Sequence, residues 1–524
     1  MTPTNVLDES CGVFRNLPEE ALAPDSIQRM VIGEDTALRT LTTEQAAAEL
    51  GDVFATALLL QGRFPRTAGE VLAFLSESTG ASSLGTPSFF LVGDGSQVAF
   101  TPETADVARN LRFLVALGGD PEGPDVLLST FSPDRGDVEV MAWDRQRGGF
   151  NYYRTVGASS GWVFAGNSRH ALSDPTQGKG PFESHTSGNF LMKELRSPWI
   201  HWDSPAAQIF PSVFDGTPHE WFERKDLGGA LACETAVARP SIVRWTKARF
   251  DGIVANGGTV SDPARIMRQL LETATVNLIS SHTESRNAAT GTVDLPQTFF
   301  VDSEELSEVL GLQPPPPFAV PGPIYEQSLD TFGVRLADGA GFEQIGDTHF
   351  AFCVPERALE DTQVLREALR IGLLSKRLAA CLLMTDFANP LFSARRAGLM
   401  AHVPAAATVV GGASSFSQDM VEAILTAAEE SPEGSAEREF DERWAAGEDF
   451  KPIFDALLTA YYDKVTQRLQ TQDGYDEFFR LAESRRERVE ATMPIAESPL
   501  LFARARERVG GLRMLADGSV TAEG

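Results

Sequence analysis

Cysteine is scarce in this chain. Cys11, Cys233, Cys353 and Cys381 stand far apart in 524 residues. No CxxC, CxxCH or zinc-finger spacing occurs among them, so covalent haem c, iron–sulfur clusters and structural zinc have no support. Long apolar runs are missing too. Nothing approaches 18 uncharged apolar residues, and no membrane-spanning segment is expected. The opening MTPTNVLDES lacks a basic stretch followed by an apolar one, so no signal peptide is read there. Positive charge is in deficit: 45 Lys and Arg face 73 Asp and Glu, a net charge of −28. A nucleic-acid binder needs a basic face, which excludes that class, whereas cationic or neutral ligands are favoured. Walker loops and G-x-G-x-x-G fingerprints are absent, which disfavours nucleotide-dependent enzymes of standard type. The expectation is a cytoplasmic protein.

Against this background one region is unusually rich. Six of the seven Trp and four of the seven His fall between Trp143 and Trp245. Within it, PFESHTSGNFLMKELRSPWIHWDS (181–204) holds His185, Lys193, Glu194, Arg196, Trp199, His201, Trp202 and Asp203. Aromatic walls with a few convergent polar groups are what small-molecule and cofactor pockets are built from. Pro198 disfavours a helical Ser197, so a helix over Gly188–Leu195 would end near Arg196. His185 would then lie at its N-terminal end, where the macrodipole favours the neutral, metal-binding imidazole. Lys193 and Arg196 would supply cations for a carboxylate, and Trp199 and Trp202 could wall a macrocycle. The competing reading makes His185 a hydrogen-bonded core histidine and the tryptophans caps over a sheet.

Around this region the periodicity predicts an α+β chain, with a mostly antiparallel sheet in the N-terminal half and a helical C-terminal half. Residues 1 to about 40 read as irregular. Helices are expected over 43–60, 68–76 and 105–116. A hairpin is expected at PSFFLV-GDGS-QVAFT, followed by strands at DVLLSTF, DVEVMAWD, GFNYYRTV and GWVFAG, with a turn at Arg145–Gly149. From His170 to Arg249 loops and short helices are expected over the sheet. Asp262 and Pro263 open a helix running to Ser281. The Pro-rich run 313–317 reads as a stiff connector, THFAFCV (348–354) as a strand, and 359–384 as one helix stopped by TDFANP. Further helices are placed at 418–428, 450–470 and 473–492. Glu429–Asp449 reads as a solvated acidic loop or helix face and the last seven residues as frayed. The parsing is 1–140, 141–312 and 313–524, or one large domain.

Several motifs fail on context. Gly157–Gly161 matches G-x-S-x-G, but the nucleophile elbow needs a helix after the serine, and a strand-like GWVFAG follows. His219-Glu220-Trp221-Phe222-Glu223 lacks the second His of a zincin helix. On a straight strand His349 and Cys353 lie too far apart to chelate one ion, and packing is the better reading. Asp386 and Asn389 look like a helix-ending turn, with Arg395 and Arg396 reaching for an acidic partner.

SHTSGNFLMKELRSPWIHWDS, with GDTHFAFCVPERALED and LLMTDFANPLFSARR, resembles the haem- or iron-dependent amine (lysine) N-oxygenase-like proteins of actinomycete nitro-amino-acid biosynthesis. The likeness covers about residues 140–405. It implies an iron centre and a cationic amino-acid substrate. Without CxxCH, haem would be non-covalent haem b with a His ligand; non-haem iron is the alternative. The expectation is therefore a monooxygenase with His185 as metal ligand and Lys193, Trp199 and Trp202 lining the cofactor. His201, His170 and Arg196 would be catalytic. Its partners would be a small-molecule substrate, an external reductant and, as a compatible state, a second copy of the chain. A hydrolase or lyase using the same His/Glu/Asp cluster is the alternative, and a non-catalytic ligand-binding protein the third.

Overall fold

The computed structural model describes residues 22–94, 110–119, 121–130, 138–157, 159–189, 220–279, 291–337, 343–346, 352, 354–492 and 504–523. The chain is α+β and divides into two compact units, Met1–Ala248 with Pro494–Leu500, and Arg249–Met493 with Leu501–Gly524.

The first unit is built on an eight-stranded sheet. Its strands are β1 (Ile27–Arg29), β2 (Arg39–Thr40), β3 (Ser88–Asp94), β4 (Asn110–Leu117), β5 (Val126–Thr130), β6 (Glu139–Asp144), β7 (Gly149–Arg154) and β8 (Trp162–Asn167), in the order β2-β1-β8-β7-β6-β5-β4-β3. From β3 to β8 each strand pairs antiparallel with the next, while β1 joins β8 in parallel. Both faces are covered, which is why the strands carry apolar residues at nearly every position. One face packs Phe113, Val115, Tyr153 and Phe164 against Phe54, Leu58 and Val71 of the N-terminal helices. The other packs Leu114, Met141, Phe150 and Tyr152 against Phe182, Cys233 and Trp245.

That two-sided burial overturns the helix expected at 105–116, because Asn110–Leu117 is a strand feeding alternate side chains to the two cores. The irregular reading of the first 40 residues fails at β1 and β2. The helix expected over 43–60 is two, Thr43–Glu49 and Val53–Ala57, because Asp52 caps the second through the Ala55 N–H. Gly51 meanwhile donates to Asp144 of β6. Beyond the short turns His170–Leu172 and Gly180–Glu183, Ala230–Cys233, a π turn at Glu234–Ala238 and Arg239–Ala255 form a helical run longer than loops and short helices.

The second unit is mainly helical, around one core that includes Phe299, Phe300, Leu382, Phe454, Tyr461 and Phe478. Its opening helix has the expected Asp262 cap but ends at Leu271. Thr273, Thr275 and Val276 favour extended backbone, and Val276–Ile279 pairs antiparallel with Val354–Arg357. The single helix expected at 359–384 is broken into Leu359–Arg370 and Lys376–Met384. Gly372 has φ +76°, and a Cβ there would lie 1.9 Å from the Gly412 carbonyl oxygen. Inside the acidic 429–449 stretch, Ser435 caps a helix, Ala436–Trp444, that buries Phe440. The expected fraying of the C-terminus is wrong as well: Leu512–Met514 and Val520–Ala522 form a hairpin. Asn389 clasps Met514, its Nδ2 donating to the Met514 carbonyl at 2.8 Å and its Oδ1 accepting the Met514 N–H at 2.8 Å. Of the strand expected at 348–354, residues 348–351 and 353 lie outside the described residues, and the observed strand begins at Val354.

Candidate functional site: a pinned imidazole over the sheet

The site forms where β7 begins and β8 ends. Gly166, with φ +122°, lets the Phe182 ring approach the strand so closely that a Cβ would stand 2.9 Å from it. Beyond Asn167 the chain turns, and Ser168 becomes a hub. Its hydroxyl accepts the Phe150 N–H at 2.8 Å and donates to the Gly188 carbonyl at 2.7 Å. Gly188 itself (φ +75°) sits so tightly that a Cβ would lie 2.4 Å from the Ser168 carbonyl oxygen. Trp245 Nε1 donates to the Ser187 carbonyl at 2.9 Å. Residues 181–189 are thus riveted at three points, to Gly166 and Ser168 at the end of β8 and to Trp245 of the helix Arg239–Ala255.

His185 is held inside that riveted segment. Its Nδ1 is 2.8 Å from the Asn189 carbonyl oxygen. A carbonyl only accepts, so Nδ1 carries the proton and, in the neutral ring, Nε2 carries the lone pair. The Tyr152 ring packs 5.1 Å from the imidazole and 5.4 Å from Phe182. Three buried polar atoms in these residues have no hydrogen-bond partner among the described residues: Tyr152 OH, Thr186 Oγ1 and Asn189 Oδ1. Burial pushes the Tyr152 phenol up, and Ser168 nearby opposes this. With Ser168 already bonded on both sides, the phenol gains no well-aligned partner. Unpaired buried polar atoms are costly and uncommon, and these three belong to the segment around His185 and to Tyr152, whose ring packs on its imidazole.

Gly188 is left-handed, so the expected helix does not begin at it, and its remaining residues 190–195 lie outside the described residues; the imidazole tautomer is set by the Asn189 carbonyl. His170 belongs to the same aromatic group, its ring 6.4 Å from Phe182. Both its nitrogens are engaged: Nδ1 accepts the Asn167 N–H at 3.0 Å, and Nε2 lies 3.6 Å from Glu34. Burial holds its pKa below the ordinary value, with Glu34 opposing and Arg29 adding to the fall. Lys193, Arg196, Trp199, His201 and Trp202 lie outside the described residues, as do His219, His349 and Cys353. Ser159 sits in the β7–β8 connection and accepts the Gly161 N–H at 3.0 Å; a strand follows, so the nucleophile-elbow context is missing.

A second polar assembly, unforeseen in the sequence, is buried in the Arg249–Met493 unit. Arg357 donates through Nε and Nη2 to Asp302 at 3.0 and 3.1 Å. It stands 3.8 Å from Glu305 and from Asp361. Arg396 completes the Asp302 shell at 3.0 Å and donates to the Asn389 and Pro390 carbonyls. Arg395 meets Glu439 at 2.9 Å. Both arginines therefore have the acidic partners expected of them, while Asp386 and Asn389 form the expected turn, closed by Ser393. The fragment PERALED carries Arg357 and Asp361, but alternating charge reads as a solvated helix face, and only the tertiary fold buries it.

Among the described residues no group of three or more His, Cys, Asp or Glu could hold a metal ion, and no helix is long and apolar enough to cross a membrane. No protein-family model, curated protein or solved structure matches the chain.

Proposed function

We propose that this chain is a cytoplasmic iron-dependent oxidoreductase, a monooxygenase that holds haem b through Nε2 of His185. The observation that carries the reading is the Nδ1–H of His185 fixed on the Asn189 carbonyl. A metal-ligating imidazole characteristically donates its other ring nitrogen to a carbonyl or carboxylate, which fixes its tautomer and raises its basicity. A single pinned imidazole is the kind of side chain that would hold a haem iron, and His185 would be the residue holding it. Non-haem iron would need further ligands beyond this imidazole. Tyr152 and Phe182 offer apolar contact, and the Tyr152, Thr186 and Asn189 polar atoms would orient what binds beside the imidazole. Iron would supply the redox chemistry. By the resemblance, the substrate is a small molecule such as the amine of lysine, and an external reductant provides electrons.

The test is protein produced with iron and haem precursor, examined by absorbance and elemental analysis. A Soret band that disappears or shifts in His185→Ala, with the circular dichroism unchanged, is the expected result. Iron without a Soret band would move the reading to non-haem iron. Protein free of iron, or a His185→Ala variant with an unaltered spectrum and full iron occupancy, would overturn the assignment.

A further inference from the structure

Arg485 lies in the helix Gln472–Thr492 with 3% of its surface exposed. Its Nη1 donates to the Phe299 carbonyl, and its guanidinium lies 4.5 Å over the Phe299 ring. Its other terminal nitrogen, Nη2, is buried and has no acceptor among the described residues. Among the described residues no carboxylate is ion-paired to it. The nearby acids are already committed. Asp302 is taken by Arg357 and Arg396. Asp386 is taken by Arg513, Asn389 and Ser393. Arg488, one turn further along the helix, adds positive charge rather than removing it.

Burial lowers the Arg485 pKa to about 10, so the group stays cationic at neutral pH. A guanidinium withdrawn from water without a counter-charge costs several kcal/mol. Its free N–H groups are geometrically suited to an anion's oxygen or to a halide. Asn277 Nδ2, a second buried donor without an acceptor among the described residues, stands across the strand ladder from Glu356. Glu356 takes the hydroxyl of Thr298, the residue before Phe299.

We infer that Arg485 is the floor of an internal anion site in this unit, taking a small singly charged anion: chloride, or the carboxylate of a small acid. The anion accepts from Nη2 and supplies the charge that neither Asp302 nor Asp386 can spare. This site is independent of the iron proposal and lies in the other unit.

The experiment uses the full chain, dialysed exhaustively into a bulky sulfonate buffer that cannot enter a buried site. Thermal melts are then recorded while chloride or formate replaces the sulfonate at constant ionic strength. The melting temperature should climb with the logarithm of the concentration of the anion that fits, as linkage requires for a ligand of the native state. If only chloride acts the occupant is a halide, and if only formate acts it is a carboxylate. Arg485→Met should abolish the climb, and Arg485→Lys, which keeps the charge without the planar fork, should weaken it. Should the methionine variant fail to fold, the lysine variant and the wild-type anion comparison still decide. A wild-type melt insensitive to both anions would overturn the proposal, leaving water as the partner of Nη2. An undiminished response in either variant would overturn it equally.

Discussion

Replacing Glu305 by Gln should change how the stability of the Arg249–Met493 unit depends on pH. Three buried carboxylates, Asp302, Glu305 and Asp361, surround two buried guanidiniums, Arg357 and Arg396. Burial, opposed by Arg357, raises Glu305 from the ordinary 4.5 to about 7, and Asp361 is raised well above its usual range by the same cause. A carboxyl whose folded pKa is raised binds more protons folded than unfolded. Its contribution is complete below about pH 4.5 and is lost as the pH climbs through 7. The interval corresponds to about 3 kcal/mol. Glutamine can still accept the Thr362 hydroxyl that Glu305 receives, yet does not titrate. Urea unfolding of both proteins between pH 4.5 and 8 should therefore show the variant gaining about 3 kcal/mol on the wild type across that window. Parallel pH profiles for wild type and Glu305→Gln would refute the reasoning.

Arg396→Met should cost about 3–5 kcal/mol, because it strips a buried partner from Asp302 and uncovers the Asn389 and Pro390 carbonyls; a loss below about 1 kcal/mol in urea titration would contradict the burial argument. Gly188→Ala should destabilise by about 1–3 kcal/mol through its left-handed backbone and, by displacing Ser168, deplete any iron held at His185; an unaffected melt and iron content would count against the riveted segment. Asp52→Ala removes a helix cap and the carboxylate that receives the Tyr153 hydroxyl and Asn151 Nδ2. Its expected cost is about 3 kcal/mol in equilibrium unfolding. Ser159 should stay unlabelled by a fluorophosphonate probe, and labelling that vanishes in Ser159→Ala would restore the hydrolase reading.

The sequence by itself determined the α+β class, strands β5 to β8, the hairpin at Arg145–Gly149 and the long C-terminal helices. Each of these is written in local terms: period-two or helical apolar patterns, a Gly-Gly turn, Asp262 with Pro263. It also singled out His185, because two histidines and two tryptophans crowded into 181–204 need no structure to be noticed. The tertiary structure decided whatever depends on what a segment packs against. Asn110–Leu117 is a strand because two cores claim its alternate side chains, although its composition suits a helix. Thr43–Leu60 breaks where Gly51 and Asp52 meet the sheet, and 359–384 breaks where Gly372 meets Gly412. The proton on His185 Nδ1 is placed by the Asn189 carbonyl, a contact made only once Ser168 and Trp245 have closed the turn. Charge pattern could not reveal that Asp302, Arg357, Asp361, Arg396 and Arg485 are buried, because a charged residue reads as solvated until the fold removes the water around it.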